Sequence, residues 1–251
     1  MGSNLPLCID CDGTLVRTDL LHESVLLLFK SSPWSLWRLP VWLLKGKAYL
    51  KQRIAERVLL DPKTLPYEPK IIAMIEQARA AGRQVVLVTA SPRSQAVALA
   101  NHLGIFDRIE ATDDVNLSGS VKASHLVALY GRRGFDYAGN SRADIPVWAA
   151  SAGAIVVSGS KSVLKSAESA AGRVIEVVAP LPRSLRTYAR AMRVHQWLKN
   201  LLVFVPVLAA HQLSLQAWTN TALAFVAFSL CASGVYLLND MLDLPADRLH
   251  A

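Results

Sequence analysis

Residues 5–14 of the chain read Leu-Pro-Leu-Cys-Ile-Asp-Cys-Asp-Gly-Thr, and they are the strongest indication of the fold. A short apolar run ends in two carboxylates two positions apart, which are followed by a glycine. Continuous apolar runs of this length are typical of strands that are buried on both faces, as in parallel sheets. Because open α/β sheets bind ligands at the carboxyl ends of their strands, we expect Asp10 and Asp12 to lie in a functional site.

Five further apolar runs alternate with segments of helical pattern, which indicates an α/β fold with a doubly wound parallel sheet. One helix is predicted over 69–81 and ends at Gly82. The pair Ser91-Pro92 is expected to open the next helix, with a capping serine and a proline in the first turn. The six predicted strands cover residues 5–9, 84–88, 108–111, 135–138, 154–157 and 173–178.

Residues 20–66 interrupt this alternation and are predicted to form a helical cap inserted after the first strand. The segment is rich in leucine and contains Trp34, Trp37 and Trp42. Its basic residues are Lys30, Arg38, Lys45, Lys47, Lys51, Arg53 and Arg57. One interpretation is that the tryptophans pack on the sheet domain. Another is that the segment turns a basic amphipathic face to anionic lipid, and the two are compatible.

The C-terminal part of the chain has the composition of a membrane segment. The net charge is +8, yet no Asp, Glu, Lys or Arg occurs from residue 201 to residue 239. At about 1.5 Å per residue, residues 217–238 are long enough to cross a hydrocarbon core of about 30 Å. Residues 197–215 are interrupted by Pro206 and by polar side chains, so we expect a kinked span there. Two transmembrane helices are therefore predicted.

A basic tract precedes these spans and orients them. It consists of Arg183, Arg186, Arg190, Arg193 and Lys199. The tract has no recognisable nucleic-acid-binding motif, so no nucleic-acid partner is expected. It adjoins apolar segments, and the positive-inside rule therefore predicts that it lies on the cytoplasmic side of the membrane. Asp10 and Asp12 fall where a secretory signal would need its apolar core. We therefore expect a multi-pass protein of the inner or plasma membrane with a cytoplasmic N-terminal domain.

Four motifs that suit phosphoryl chemistry occur in order along the N-terminal part. They are Asp-Cys-Asp-Gly-Thr at 10–14, Val-Val-Leu-Val-Thr at 85–89, the isolated Lys122, and Gly-Asn-Ser-Arg-Ala-Asp at 139–144. On these motifs, residues 5–178 resemble the haloacid dehalogenase-like (HAD) hydrolases. The resemblance implies a Rossmann-like domain that hydrolyses phosphomonoesters with Mg²⁺ through an aspartyl-phosphate.

The resemblance also implies a role for each motif residue. Asp10 is the nucleophile and Asp12 the general acid and base. Thr89 and Lys122 complete the catalytic set and hold the phosphoryl group. The implied metal-site residues are Asp10, Asp12, Asn140 and Asp144, and the implied phosphate-binding residues are Gly13, Thr14, Thr89, Ala90 and Lys122. Many relatives carry Asp where this chain has Asn140, and a neutral amide is expected to weaken metal binding.

A second motif lies near the C-terminus, where residues 239–247 read Asn-Asp-Met-Leu-Asp-Leu-Pro-Ala-Asp. The carboxylates at i, i+3 and i+7 share one face of a helix end, and Mg²⁺ bridging a diphosphate would explain them beside a membrane helix. Together with Arg-Val-His-Gln-Trp-Leu-Lys-Asn at 193–200, this motif resembles the start of UbiA-type polyprenyl transferases over residues 184–251. The resemblance assigns prenyl diphosphate and Mg²⁺ to Asn239, Asp240, Asp243, Asp247, Lys199 and Asn200.

The sequence thus predicts a bacterial-type fusion of a HAD phosphatase, residues 1–180, with the N-terminal fragment of a UbiA-type transferase, residues 184–251. The segment His-Gln-Trp-Leu-Lys-Asn at 195–200, before the spans, most resembles the branch of this superfamily that attaches phosphoribose to polyprenyl phosphate. Such transferases have more spans and a second acidic motif, so transfer is expected to need the missing remainder. The expected phosphatase substrate is a phosphorylated small molecule or a lipid-linked phosphate.

Two alternatives stay open. Asn140 suggests a regulatory or non-catalytic HAD domain that is tethered to the membrane. The apolar segment would also serve as a plain anchor for a phosphatase that acts on soluble metabolites. A phosphatase assay discriminates the first alternative from the fusion enzyme.

Overall fold

The computed structural model describes residues 4–113, 115–179, 184–212 and 214–249. The chain divides into two compact units, Met1–Pro180 with Arg248–Ala251, and Leu181–Asp247. Arg183 of the predicted basic tract lies outside the described residues. Residue 213, within the predicted span at 197–215, also lies outside them.

The first unit is built on a six-stranded parallel sheet in the order β3-β2-β1-β4-β5-β6. The strands are β1 (Leu7–Ile9), β2 (Val85–Pro92), β3 (Arg108–Thr112), β4 (Asp136–Gly139), β5 (Gly153–Val157) and β6 (Val174–Val178). The chain first winds from β1 towards β3 and then returns to the other side of β1 with β4. The predicted parallel α/β sheet is confirmed, and its switch point lies between β1 and β4.

Alternate side chains of β1 enter two different hydrophobic clusters, one on each face of the sheet. Ile9 packs with Ile71 and Ile75 in one cluster, whereas Cys8 packs with Trp148 in the other. The helices of this unit are α1 (Leu20–Ser31), α2 (Leu39–Leu44), α3 (Lys47–Ala55), α4 (Pro69–Ala80), α5 (Arg93–Leu103), α6 (Gly119–Tyr130), α7 (Ile145–Ala150) and α8 (Lys161–Ala170). Burial on both faces explains why the central strands, such as β1, are nearly continuous apolar runs in the sequence.

The start of α5 differs from the prediction. Strand β2 continues through Pro92, and α5 begins at Arg93, so Ser91 is not the capping residue. The Ser91 hydroxyl instead donates a 2.8 Å hydrogen bond to Asp12 Oδ2. The prediction was wrong because a serine before a proline favours a helix start locally, whereas a carboxylate from a distant part of the chain accepts this hydroxyl.

Helices α1, α2 and α3 lie between β1 and α4, together with 3₁₀ turns at Pro33–Arg38 and Pro62–Thr64. They build a hydrophobic cluster of their own from Leu28, Trp42, Leu50, Ile54 and Val58. Trp42 is buried in that cluster, but Trp34 and Trp37 are exposed. The interpretation that the tryptophans pack on the sheet domain is therefore wrong, because the cap makes its own core and leaves two of them outside it.

The second unit contains α9 (Leu185–Ala191), α10 (Trp197–Asn200), α11 (Val205–Ala209) and α12 (Leu215–Leu249). Within the described residues, α12 is the one helix that is long and apolar enough to cross a membrane. It includes the span predicted at 217–238, and most of its apolar side chains are exposed rather than packed in a protein core. The segment predicted as the second span is broken into short helical pieces over Val194–Ala209.

These short pieces run antiparallel to α12. Trp197 Nε1 donates to Ser233 Oγ at 3.0 Å, and Asn200 Nδ2 donates to Ser229 Oγ at 2.9 Å. Further along, the Phe204 ring lies 5.7 Å from the Phe225 ring. Polar groups in apolar surroundings gain from such interhelical hydrogen bonds. The second unit is therefore a helical hairpin.

Candidate active site

The register of the three central strands brings separate motifs together. Ile9 pairs with Leu87 of β2 and with Ala138 of β4. The next residue, Asp10, donates its backbone N–H to the Ala138 carbonyl at 3.0 Å. Because all strands are parallel, Asp10, the end of β2 and the loop after β4 meet at one edge of the sheet.

Lys122 lies at the centre of this edge. It comes from α6, and its side chain is only 4% exposed. The ammonium donates to Asp10 Oδ1 at 2.6 Å, to the Tyr137 hydroxyl at 3.0 Å and to the Val88 carbonyl at 3.4 Å. A buried ammonium is tolerated when its donors are paired in this way.

Burial dominates the electrostatics of the pair. It raises the pKa of Asp10 to about 7 against the opposing influence of Lys122, and the nearby carboxylate of Asp144 adds to the rise. Burial alone would lower the pKa of Lys122, but the carboxylates of Asp10 and Asp144 outweigh it and raise that pKa. Lys122 therefore stays charged, and an added cation would favour the ionised form of Asp10.

Asp12 has a different environment from Asp10. Its Oδ1 accepts from the backbone N–H of Leu20 and its Oδ2 from the Ser91 hydroxyl, each at 2.8 Å. Burial and the carboxylate of Asp19 raise the pKa of Asp12. A carboxyl with a raised pKa suits a group that must hold and release a proton.

Asp144 orders the loop that follows β4. Its Oδ1 accepts from the Tyr137 hydroxyl at 2.8 Å, and its Oδ2 accepts from the backbone N–H groups of Asn140 and Ser141 at 3.1 and 3.0 Å. A Cβ at Gly139 would lie only 2.7 Å from Asp144 Cγ. This close approach requires glycine and fixes where the loop presents Asn140.

The glycine of the first motif allows a second close approach. Gly13 has a φ of +72°, and a Cβ there would lie 2.0 Å from Asn140 Nδ2. The Asn140 side chain therefore lies directly against the loop after β1. The hydroxyl of Thr14 is buried and has no partner among the described residues. Thr89 Oγ1 accepts from the backbone N–H of Ser91 at 3.0 Å, so the proton of the Thr89 hydroxyl can be donated to a ligand.

The donors at this edge decide which metal could bind. Within the described residues, no cluster of three or more His, Cys, Asp or Glu side chains could hold an ion. Among the described residues, both oxygens of Asp144 and both oxygens of Asp12 already accept hydrogen bonds, whereas Asp10 Oδ2 and the Asn140 amide oxygen accept none. Mg²⁺ commonly binds to one or two carboxylates together with substrate phosphate and water. The residues therefore fit Mg²⁺ that is bound jointly with a phosphate.

Two contacts of the site were not foreseen from the sequence. Lys51 of α3 donates to the Ala90 carbonyl at 3.1 Å, so the cap delivers a cation to the residue that follows Thr89. Nothing distinguishes Lys51 from the other basic residues of the cap in the sequence. Tyr137 links Lys122 to Asp144. Its signal in the sequence was a phenol within a predicted buried strand, because a buried hydroxyl needs a partner.

The acidic motif of the second unit lies on α12. Helical periodicity places Asp240, Asp243 and Asp247 on one face, and Asn239 Nδ2 donates to Asp243 Oδ2 at 3.1 Å. Arg193 Nη2 lies 2.7 Å from Asp240 Oδ1. Sequence reasoning did not select Arg193 as a site residue, although it belongs to the motif at 193–200.

The other two residues predicted for this site are arranged differently. Asn200 binds Ser229, which is ten residues and about 15 Å along the helix axis from Asn239. Lys199 and Asn200 border a small cavity of about 60 Å³ that Arg193 also lines. The structure therefore brings Arg193 to the acidic motif and leaves Asn200 near the middle of the hairpin.

Comparisons with known proteins match the two units to different families. Residues 43–148 match the family model of the haloacid dehalogenase-like hydrolases. The decaprenyl-phosphate phosphoribosyltransferase of Mycobacterium tuberculosis strain CDC 1551 / Oshkosh is 41% identical over 81 residues, which are 30% of this chain and 27% of that enzyme. This similarity falls in the C-terminal region, so both resemblances predicted from the motifs are confirmed.

Two further similarities cover more of the chain. The uncharacterized protein y4nM of Sinorhizobium fredii is 38% identical over 251 residues, 98% of this chain and 48% of that protein. The chain therefore spans about half the length of this relative. A solved structure of a protein of unknown function from Bordetella pertussis Tohama I has a TM-score of 0.51 and 15% identity, over 70% of this chain and 99% of that one. At this identity the likeness shows the fold alone.

Proposed function

We propose that the first unit, whose residues 43–148 match the haloacid dehalogenase-like hydrolases, is a phosphatase that hydrolyses phosphomonoesters through Asp10 with Mg²⁺. The observation that carries this proposal is the buried Lys122–Asp10 pair, 2.6 Å apart at the strand ends. An ammonium fixed beside a carboxylate can orient that carboxylate and attract the phosphate that it attacks. It also opposes the charge on the transferred group without reorganising during the reaction.

The two carboxylates divide the chemistry. An oxygen of Asp10 attacks phosphorus, the bond from phosphorus to the ester oxygen breaks, and Asp12 gives its proton to the leaving alcohol. In the second step Asp12 takes a proton from water, whose oxygen attacks phosphorus. The bond between phosphorus and Asp10 then breaks, and inorganic phosphate leaves. The raised pKa of Asp12 supports its role as the proton carrier.

The remaining residues bind and position the phosphate. The unpartnered hydroxyl of Thr14 and the hydroxyl proton of Thr89 are the donors that suit phosphate oxygens. Backbone groups at Gly13 and Ala90 would lie beside the same phosphate. A bound Mg²⁺ would neutralise phosphate charge, with Asp10, Asp12 and Asn140 near it and Asp144 holding the loop that carries Asn140.

We also propose that the second unit is a membrane-embedded part of a UbiA-type transferase. The exposed apolar face of α12 supports its insertion, and the antiparallel segment Val194–Ala209 supports a second crossing. The Arg193–Asp240 contact supports a topology in which both ends of this hairpin lie on one side of the membrane, which we propose to be the cytoplasmic side. Because the matched region is 27% of the mycobacterial enzyme, prenyl-phosphate transfer would require the remainder of a transferase.

The phosphatase proposal is tested with p-nitrophenyl phosphate and the full chain in mild detergent. We expect Mg²⁺-dependent turnover, and Asp10→Asn should lower kcat at least about 1,000-fold, because this nearly isosteric change removes the nucleophile. Asp113→Asn is the matched control, since that carboxylate is exposed and paired with Arg93, and it should leave kcat unchanged. Absence of turnover on a panel of phosphomonoesters would instead favour the regulatory domain.

A further inference from the structure

The cap has a group of exposed apolar side chains that do not belong to its hydrophobic core. Trp34, Trp37 and Leu44 are 86%, 66% and 88% exposed, and Val41 is about half exposed. We refer to these four residues as the cap face. Single exposed apolar side chains are ordinary on proteins, whereas a group of them is typical of an interaction surface.

The spacing of the cap face shows that it is one surface. The chain is helical from Pro33 to Leu44, first as a 3₁₀ turn and then as α2, and the two residues at the junction, Arg38 and Leu39, have right-handed helical backbone angles. The four residues of the cap face follow the pattern i, i+3, i+7 and i+10, which places them along one side. On the opposite side, Leu36, Leu39 and Trp42 pack against the core of the cap.

The surroundings of the cap face are basic. No acidic residue occurs between Glu23 and Glu56, whereas that interval contains Lys30, Arg38, Lys45, Lys47, Lys51 and Arg53. Arg38, Lys45 and Lys47 are exposed beside the cap face. The Arg38 guanidinium lies 5.3 Å from the centre of the Trp37 ring, so charge and aromatic surface are presented together.

We propose that the cap face binds the surface of an anionic lipid bilayer. Tryptophan prefers the headgroup level, leucine and valine gain by entering the acyl boundary, and lysine and arginine are attracted by anionic headgroups. A second copy of the chain would bring the same cations against one another, which disfavours self-association. The chain also carries α12, whose proposed insertion would tether the chain to a bilayer.

This inference goes beyond the proposed function, because the cap face contains none of the residues of the candidate active site. It assigns the cap a membrane-binding role that is independent of phosphate hydrolysis. Loss of lipid binding would therefore leave turnover of a soluble aryl phosphate unchanged, whereas loss of hydrolysis would leave lipid binding unchanged.

The test places a spin label on the cap face of the full chain. Leu44→Cys is labelled in a Cys231→Ser background, because the other two cysteines, Cys8 and Cys11, are buried. The protein is embedded in nanodiscs of phosphatidylcholine, with or without about one third phosphatidylglycerol. Accessibility of the label to oxygen, which partitions into lipid, and to a water-soluble nickel chelate is measured by power saturation. Glu168→Cys, exposed on α8, is the matched control.

In anionic nanodiscs we expect the label at position 44 to gain oxygen accessibility and to lose nickel accessibility, while the label at position 168 stays in water. Reversing the charge of the three basic residues beside the cap face, with Arg38→Glu, Lys45→Glu and Lys47→Glu, should lower partition of the label into lipid about 100-fold or more. Unchanged aryl phosphate turnover would show that this variant is folded. Equal nickel accessibility of position 44 in both lipids would overturn the proposal. Protection from both reagents in lipid-free amphipol would also overturn it, since that result indicates a protein contact.

Discussion

Tyr137 offers the sharpest test of the buried network, because a single oxygen can be removed without changing the volume of the core. The Tyr137 side chain is fully buried in β4. Its hydroxyl donates to Asp144 Oδ1 at 2.8 Å and accepts from Lys122 Nζ at 3.0 Å. Tyr137→Phe therefore removes two charge-assisted hydrogen bonds and leaves one acceptor and one donor unpaired.

The size of the effect follows from these contacts. A hydrogen bond to a charged group contributes about 1.5–3 kcal/mol, so losing two should lower the free energy of unfolding by about 3 kcal/mol or more. Tyr130→Phe is a matched control, because the Tyr130 hydroxyl is buried without a partner among the described residues. Removing an unpartnered hydroxyl should be neutral or slightly stabilising.

Amide hydrogen exchange of the full chain measures this loss without isolating the first unit. Peptides that contain β1 and β4 should exchange about 100-fold faster in Tyr137→Phe, since each 1.4 kcal/mol corresponds to about a factor of ten. The same peptides should exchange at the wild-type rate in Tyr130→Phe. A change of less than about threefold in Tyr137→Phe, or equal effects of the two substitutions, would refute the proposed network.

Three further predictions concern the metal, the cap and the topology. Asn140→Asp should lower the Mg²⁺ concentration for half-maximal turnover, because it adds a charged ligand. If that Mg²⁺ concentration is unchanged, Asn140 is not part of the metal site. Lys51→Met should raise the KM for aryl phosphate about tenfold with little change in kcat. The control Lys63→Met, which changes an exposed lysine, should alter neither constant. If Lys51→Met has the same KM as the wild type, Lys51 does not take part in substrate binding. A membrane-impermeant thiol reagent added outside should label Gln212→Cys in intact cells and should label Asp243→Cys only after permeabilisation. Labelling of Asp243→Cys in intact cells would rule out the hairpin topology.

Local pattern was enough to predict the architecture of the sheet. Strands β1, β2, β4 and β5 are buried on both faces, and such strands need nearly continuous apolar runs, which can be recognised in the sequence. The same local logic found α12, because residues 217–238 contain no charged side chain and are long enough to cross a bilayer. Asp10 could be assigned to a site since parallel strands all present their carboxyl ends at one edge.

Other features depend on which distant residues become neighbours, and local preferences carry no information about that. Ser91 reads as a helix cap, yet its hydroxyl binds Asp12, because the paired ends of β1 and β2 bring that carboxylate within reach. In the sequence Lys51 is one of many basic residues in the cap, and only the packing of α3 brings its ammonium to the Ala90 carbonyl. The strands, the apolar helix and the order of the motifs could be predicted from the sequence, since these follow from burial and periodicity. The partners of each polar side chain could be found only in the folded chain, because strand register and helix packing set those distances.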